Sequence, residues 1–114
     1  MNILKDLSKK YFNAFSNKKL ELLKDMFADN IILRDWEIQA IGKKEVLAET
    51  EKILDSVKSI EVVPLHIYCE EDTVIAELEI LIDRAEKIHV VDIISFNEEG
   101  KILGINAFKG NENY

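Results

Sequence analysis

The sequence predicts an α+β fold: a curved antiparallel sheet with three N-terminal helices packed on one face. Two observations predict it. Through residue 57, apolar side chains recur three times at helical spacing, with one short strand between the second and third repeats. From residue 60 onward the chain turns to runs rich in β-branched residues, separated by polar connections of hairpin length. Helices followed by a block of strands mark this class, because one apolar sheet face must find helices to cover it.

The elements follow in order. Leu4, Leu7, Tyr11, Ala14 and Phe15 share one stripe, so residues 2–16 form an amphipathic helix that Ser16-Asn17 breaks. Leu20, Leu23, Met26 and Phe27 give a second, short helix over 19–27, and Ala28-Asp29-Asn30 closes it. Ile31–Trp36 reads as a strand, followed by a loop to Gly42. Val46, Leu47, Thr50, Ile53, Leu54 and Val57 place a third helix over 43–57. Strands are expected over 60–69, 73–83, 86–97 and 101–109, with turns at Glu70-Glu71-Asp72, around Arg84-Ala85 and at Asn97–Gly100. Residues 110–114 read as a loose tail, and residues 1–114 as a single domain.

Parity within the strands indicates which face is covered. Ile88, Val90, Asp92, Ile94 and Phe96 lie on one side of the strand at 86–97, and His89, Val91, Ile93 and Ser95 on the other. The first set is the more apolar and should meet the helices. The second still carries Val91 and Ile93, which suggests a partner subunit over the outer face and hence a homodimer. In the strand at 73–83, burial favours Val74, Ala76, Leu78, Ile80 and Ile82 inward. A two-residue hairpin at Arg84-Ala85 would instead pair Glu77 with Asp92 and make the interior acidic. A longer turn or a bulge that keeps the glutamates out is the reading preferred.

Composition limits the functions available. The 114 residues are 47% hydrophobic and 32% charged, with a net charge of −7. This suits a globular, cytoplasmic protein and argues against nucleic-acid binding and against docking on anionic lipid. The N-terminus meets charges at once, as a signal peptide would not, and no apolar run reaches membrane-spanning length. The single Cys69 permits no internal disulfide, and the two histidines show no metal-ligand spacing, so no metal is expected.

Three polar residues stand within apolar runs. Tyr11 lies on the apolar stripe of the first helix, Asp35 follows Ile31-Ile32-Leu33-Arg34, and Asp92 interrupts Ile88–Ile94. A carboxyl in an apolar site is costly when ionised, so its pKa rises. A carboxylate that takes a proton, with a phenol and a neutral carboxylic acid to hold a developing oxyanion, would make a proton-transfer site. Each also has a plainer reading: Tyr11 as a core tyrosine, Asp35 as the start of a turn, Asp92 as a structural acid bonded to a helix or loop. Trp36 either walls a pocket or is plain core. His66 shares parity with Val62, Pro64 and Tyr68 and could reach the interior, whereas His89 lies on the face opposite Asp92. Cys69, near a turn, reads as inert.

Tyr11-Phe12, the run Met26–Asp35, Ile41–Glu45 and the run Val91–Ile102 follow, in order, a pattern that resembles the ketosteroid isomerases. These belong to the nuclear transport factor 2-like superfamily, also called cystatin-like α+β barrels; polyketide cyclases of that superfamily look similar. The resemblance implies roles. Tyr11 and Asp92 would donate hydrogen bonds to the substrate oxygen, Asp92 as a neutral acid, and Asp35 would shuttle the proton. It further implies a cone-shaped α+β barrel with the helices on the concave face of its sheet, a pocket that includes Phe15, Phe27, Trp36, Thr50, Val90 and Ile105, no cofactor, and a small apolar carbonyl-bearing ligand. The sequence departs from the family at Phe27 and Thr50, where tyrosines that support the catalytic one are common, and at Lys109, where a large apolar residue would line a steroid pocket. Lys109 would suit an acidic substrate instead. The same scaffold could serve a polyketide cyclase, a dehydratase, or a non-catalytic ligand-binding or dimerisation module.

Overall fold

The computed structural model describes residues 2–111, in which three helices lie against a six-stranded sheet. The elements are α1 (Ile3–Ser16), α2 (Leu20–Met26), β1 (Phe27–Arg34), β2 (Gln39–Ile41), α3 (Lys43–Asp55), β3 (Ile60–Glu70), β4 (Thr73–Ile82), β5 (Glu86–Phe96) and β6 (Ile102–Lys109). The α+β class and the three covering helices stand as the sequence predicts. The sheet order is β2-β1-β6-β5-β4-β3, and the sheet curves without closing. It is mixed rather than wholly antiparallel, because β1 and β6 run parallel. No hairpin joins that pair; β2, α3 and three further strands intervene, so turn geometry does not impose an antiparallel arrangement.

Local chemistry sets the boundaries. The Asn2 side chain accepts from the Lys5 N–H at 3.1 Å and caps α1. Helix α2 ends at Met26, and Phe27 is already extended (φ −88°, ψ 135°). Strand β1 therefore starts four residues earlier than the sequence suggests. Its pairing with β6 is irregular between Phe27 and Ile32, and there Asp29 and Asn30 face solvent. The strand ends at Arg34, so Asp35 and Trp36 fall in a turn. What reads in sequence as a loop to Gly42 contains β2, which pairs Ala40 with Leu33. The final residues expected as a tail lie, from 112 on, outside the described residues.

The long β4–β5 hairpin resolves the question of register. Its connection is three residues, Asp83-Arg84-Ala85, with Ile82 paired to Glu86. Ala76 stands opposite Asp92 and Glu77 opposite Val91, so the glutamates stay outside. Val74, Ala76, Leu78, Val90, Asp92, Ile94, Phe96 and Ile105 are all buried on the inner face. There α1 packs on β3 and β4, and α3 packs on β1 and β2.

Strand β3 shows why parity alone misplaces His66. A bulge lies between Pro64 and His66: Pro64 pairs with Leu78, but His66 pairs with Glu77. One extra residue reverses every later side chain. His66 thus joins Tyr68 on the outer face, their rings stacked at 6.2 Å, and Ile67 and Cys69 turn toward the core instead.

The edge of β3 is fastened to α1 through one hydroxyl. Ser16 Oγ donates to the Phe12 carbonyl at 2.9 Å and accepts the Val62 N–H at 2.8 Å. Replacing Ser16 with Ala leaves that N–H without its acceptor. The expected cost is about 1–2 kcal/mol in urea unfolding; Ser16→Thr, which keeps a hydroxyl, should recover part of it.

Candidate active site

Each of the three singled-out residues is positioned by a different kind of element. Tyr11 projects from the buried stripe of α1 and is 7% exposed. Its ring packs against Phe12, Phe15 and Phe27, at centroid distances of 5.5, 6.1 and 6.3 Å. Asp92 is carried inward by β5 between Val90 and Ile94 and is also 7% exposed. Its neighbours across the sheet are Ala76 on β4 and Ala107 on β6. Two alanines leave room beside the carboxyl and offer it no hydrogen bond.

Asp35 sits where β1 ends, half-buried. Its Oδ1 accepts the backbone N–H groups of Glu37 and Ile38, both at 2.7 Å, and its own N–H donates to the Ile38 carbonyl at 2.9 Å. This is the side-chain-to-backbone turn that aspartate favours, and it fixes the carboxylate rather than leaving it to swing.

All three side chains line one cavity of about 200 Å³. The walls are otherwise mostly apolar, drawn from α1, α3 and the inner faces of β3 to β6. Of the residues that the resemblance implies for a pocket, Phe15, Trp36, Thr50, Val90 and Ile105 line it. Phe27 does not: it is buried behind Tyr11 and supports the tyrosine ring from the core side. Trp36 lies at the rim, 44% exposed. Thr50 is satisfied within its own helix, donating to the Val46 carbonyl at 2.7 Å. Lys109 pairs with Val90 at the end of β6 but is exposed and does not line the cavity. Neither His66 nor His89 reaches it. His89 Nε2 lies 2.7 Å from Glu77 Oε2 on the outer face.

One feature escaped sequence reasoning. Glu37 lines the cavity mouth because the Asp35 turn folds it back; an Asp two residues before a Glu is too common a pairing to signal this. The cavity also extends along Ile80, Ile82 and Ile88 toward the hairpin end, which the strand parity did contain.

The electrostatics follow from burial. Burial, and then the nearby Asp35 carboxylate, push Asp92 from an ordinary 3.8 up to about 7. Burial, with Asp92 beside it, raises Tyr11 far above its ordinary value, so the phenol keeps its proton. Among the described residues, no hydrogen bond reaches the Asp92 carboxyl or the Tyr11 hydroxyl; their polar atoms open onto the cavity. Two buried polar groups with vacant hydrogen-bonding capacity face one apolar space, where a ligand oxygen could satisfy both.

Residues 9–105 match the SnoaL-like domain, and the chain belongs to this family of the nuclear transport factor 2-like superfamily. No curated protein sequence matches the chain. Solved structures do resemble it. A protein from Shewanella denitrificans named as a SnoaL-like polyketide cyclase superposes with a TM-score of 0.85 at 12% identity, over 96% of this chain and 92% of that one. One from Kribbella flavida named as a ketosteroid isomerase gives 0.83 at 11% identity, over 95% and 78%. SalBIII, an epoxide hydrolase/cyclase-like enzyme of pyran ring formation in the polyether salinomycin, gives 0.82 at 19% identity, over 94% and 90%. At these identities the likeness establishes the fold alone. No helix among the described residues is long and apolar enough to cross a membrane.

The burial of Asp92 has a thermodynamic signature. Unfolded, its carboxyl releases a proton near 3.8; folded, near 7. Below pH 4 both states are protonated and nothing is lost. Between these values the unfolded carboxyl is ionised while the folded one keeps its proton, so stability falls progressively from about pH 4 to about pH 7, by about 4 kcal/mol in all, and levels off above. Asp92→Asn removes this titration. In urea unfolding the variant should match wild type near pH 4 and exceed it by about 2–4 kcal/mol at pH 8. A constant difference across that range would mean that Asp92 titrates normally in the folded protein.

Proposed function

We propose that the protein is a cofactor-free acid/base enzyme that moves a proton next to the carbonyl of a small apolar molecule. The observation that carries this reading is the convergence of Tyr11, Asp35 and Asp92 on one apolar cavity. Asp35 takes a proton from the carbon beside the carbonyl. The electron pair passes to the carbonyl oxygen, giving an enolate, which accepts hydrogen bonds from the Tyr11 hydroxyl and from Asp92 in its protonated form. Asp35 then returns the proton to a different carbon, so base and substrate end with their original proton counts. An oxyanion held by pre-placed donors in a dry site needs no solvent reorganisation, and this is where such catalysis gains most.

The cavity volume of about 200 Å³ falls below the ~300 Å³ at which drug-sized pockets begin. This supports a substrate of one or two rings over a four-ring steroid. The same three groups would also serve the aldol-type ring closure of a polyketide cyclase, in which the enolate carbon attacks a second carbonyl, the π bond of that carbonyl opens, and its oxygen takes the proton from Asp35. Membership of the SnoaL-like family favours this second reading. A purely structural module has less support, since its cavity would have no reason to keep a buried, unpaired carboxyl.

Assembly is part of the proposal. Tyr68 and Phe108 are both 59% exposed on the outer sheet face, near Ile75, Val91 and Ile93. A second copy, placed by a two-fold axis, would cover them. Sedimentation at micromolar concentration should give the dimer mass, and Phe108→Glu should shift it to monomer.

The chemistry is tested by binding a substituted phenol, which mimics the enolate, while following isomerisation of β,γ-unsaturated ketones. Tyr11→Phe and Asp92→Ala should each weaken phenol binding by about tenfold or more. Asp92→Asn keeps a donor and should weaken it less. Asp35→Asn should lower turnover by at least about a hundredfold and leave phenol binding in place. Because the donor form of Asp92 is the protonated one, kcat/KM should fall as pH rises through about 7, and Asp92→Asn should lose that limb. If wild type binds no phenol, the oxyanion site is wrong.

A further inference from the structure

The charge on the cavity wall narrows the substrate class. Among the described residues that line the cavity, the ionisable ones besides Tyr11 are Asp35, Glu37 and Asp92; there is no Lys, Arg or His. The acidic groups are not alike in position. Asp92 is deep, buried and without a hydrogen-bond partner, and Asp35 is fixed by the two N–H groups of its own turn. Glu37 is exposed at the mouth. Its backbone N–H is held by Asp35, but no hydrogen bond or ion pair among the described residues engages its carboxylate. Directly before it in the chain stands Trp36, on the same rim. The cavity thus runs from an apolar end with two vacant polar groups to a mouth that carries a free carboxylate and an indole.

An ammonium group is attracted both by a carboxylate and by the face of an indole ring. A cleft with apolar walls and charges of one sign concentrates that attraction, and the chain's net charge of −7 acts in the same direction. An anionic substrate would meet Asp35 and Glu37 with no compensating cation, since Lys109 is not on the wall. We propose that the site selects a carbonyl substrate bearing a cationic nitrogen, its carbonyl end reaching Tyr11 and Asp92 and its ammonium lodged at the mouth by Glu37 and Trp36. This rests on the proton-transfer reading for the orientation of the ligand, but the charge preference is separately measurable.

Three phenols of similar shape separate the two. These are para-ethylphenol, which is neutral, para-(2-aminoethyl)phenol, which is cationic, and para-hydroxyphenylacetate, which is anionic. Each is titrated calorimetrically into wild type and Glu37→Gln at low and high salt. At low salt the cation should bind about tenfold more tightly than the neutral phenol and the anion about tenfold more weakly. The cation's advantage should shrink at least about threefold at high salt and again in Glu37→Gln. Equal affinity for the neutral and cationic phenols, or an advantage unchanged in Glu37→Gln, overturns the charge selection and leaves the proton-transfer site standing. Binding of the cation alone, lost in Glu37→Gln, supports the charge selection and counts against the oxyanion site. Binding of none overturns both.

Discussion

Asp83, Arg84 and Ala85 fix the register of the β4–β5 hairpin, and that register decides what the interior contains. Asp83 and Arg84 both adopt left-handed backbone (φ 54° and 56°), a conformation that costs a residue with a β-carbon about 1 kcal/mol or more. Aspartate tolerates it better than most residues, and here it makes further bonds. Its Oδ1 accepts the N–H groups of Lys58 and Ser59 at 2.7 and 3.0 Å, and its own N–H donates to the Ser59 carbonyl at 2.9 Å. These backbone bonds hold the Asp83 carboxyl below the usual carboxylate range. They tie the hairpin end to the start of β3, so three strands share one reference point. A turn shorter by one residue would bring Glu77 to face Asp92 in place of Ala76, and add one more carboxyl to a cavity that already holds three.

With the register set, the apolar face of β5 can carry a single acid. Asp92 is tolerated because its neighbours are small and because its charge is suppressed below about pH 7, the value to which burial pushes the carboxyl up. The energetic cost of ionising it, about 4 kcal/mol, is a sizeable share of the 5–15 kcal/mol that holds a typical domain together. A purely structural core would gain by replacing it with an apolar residue. The same burial that makes Asp92 expensive makes it a hydrogen-bond donor near neutral pH, which is the property an oxyanion site requires.

Much of this was legible in the chain, for physical reasons. The helices over Ile3–Ser16 and Lys43–Asp55 and the long strands announce themselves through sustained periodicity. Placement of Asp92 on the helix-covered face followed from five alternating residues. What was not legible depended on partners distant in sequence. Strand β2 is three residues long and exists because β1 offers it an edge. The early start of β1 at Phe27 reflects pairing with Ile102, which no local pattern encodes. The bulge after Pro64 moved His66 outward, and only the ladder to β4 reveals it. Phe27, expected on the pocket wall, stands behind the Tyr11 ring, and the Thr50 hydroxyl bonds to its own helix; both orientations belong to the tertiary packing.

The chemistry that distinguishes members of one scaffold must then reside in the few polar atoms that packing leaves unsatisfied. Thr50 has spent its hydroxyl on Val46, and Phe27 has none to give. Tyr11 therefore stands without a supporting hydrogen-bond relay, and the site has two isolated donors rather than a network. Isolated donors do not strengthen one another as chained ones do. Under the proposed function, stabilisation of an enolate would consequently lean more heavily on exclusion of water and on the protonation state of Asp92. On the proposed reading, the isoleucines of β4 and β5 and the apolar residues of α1 that wall the cavity matter as much as the three polar side chains they surround, because they limit the water that competes for those groups.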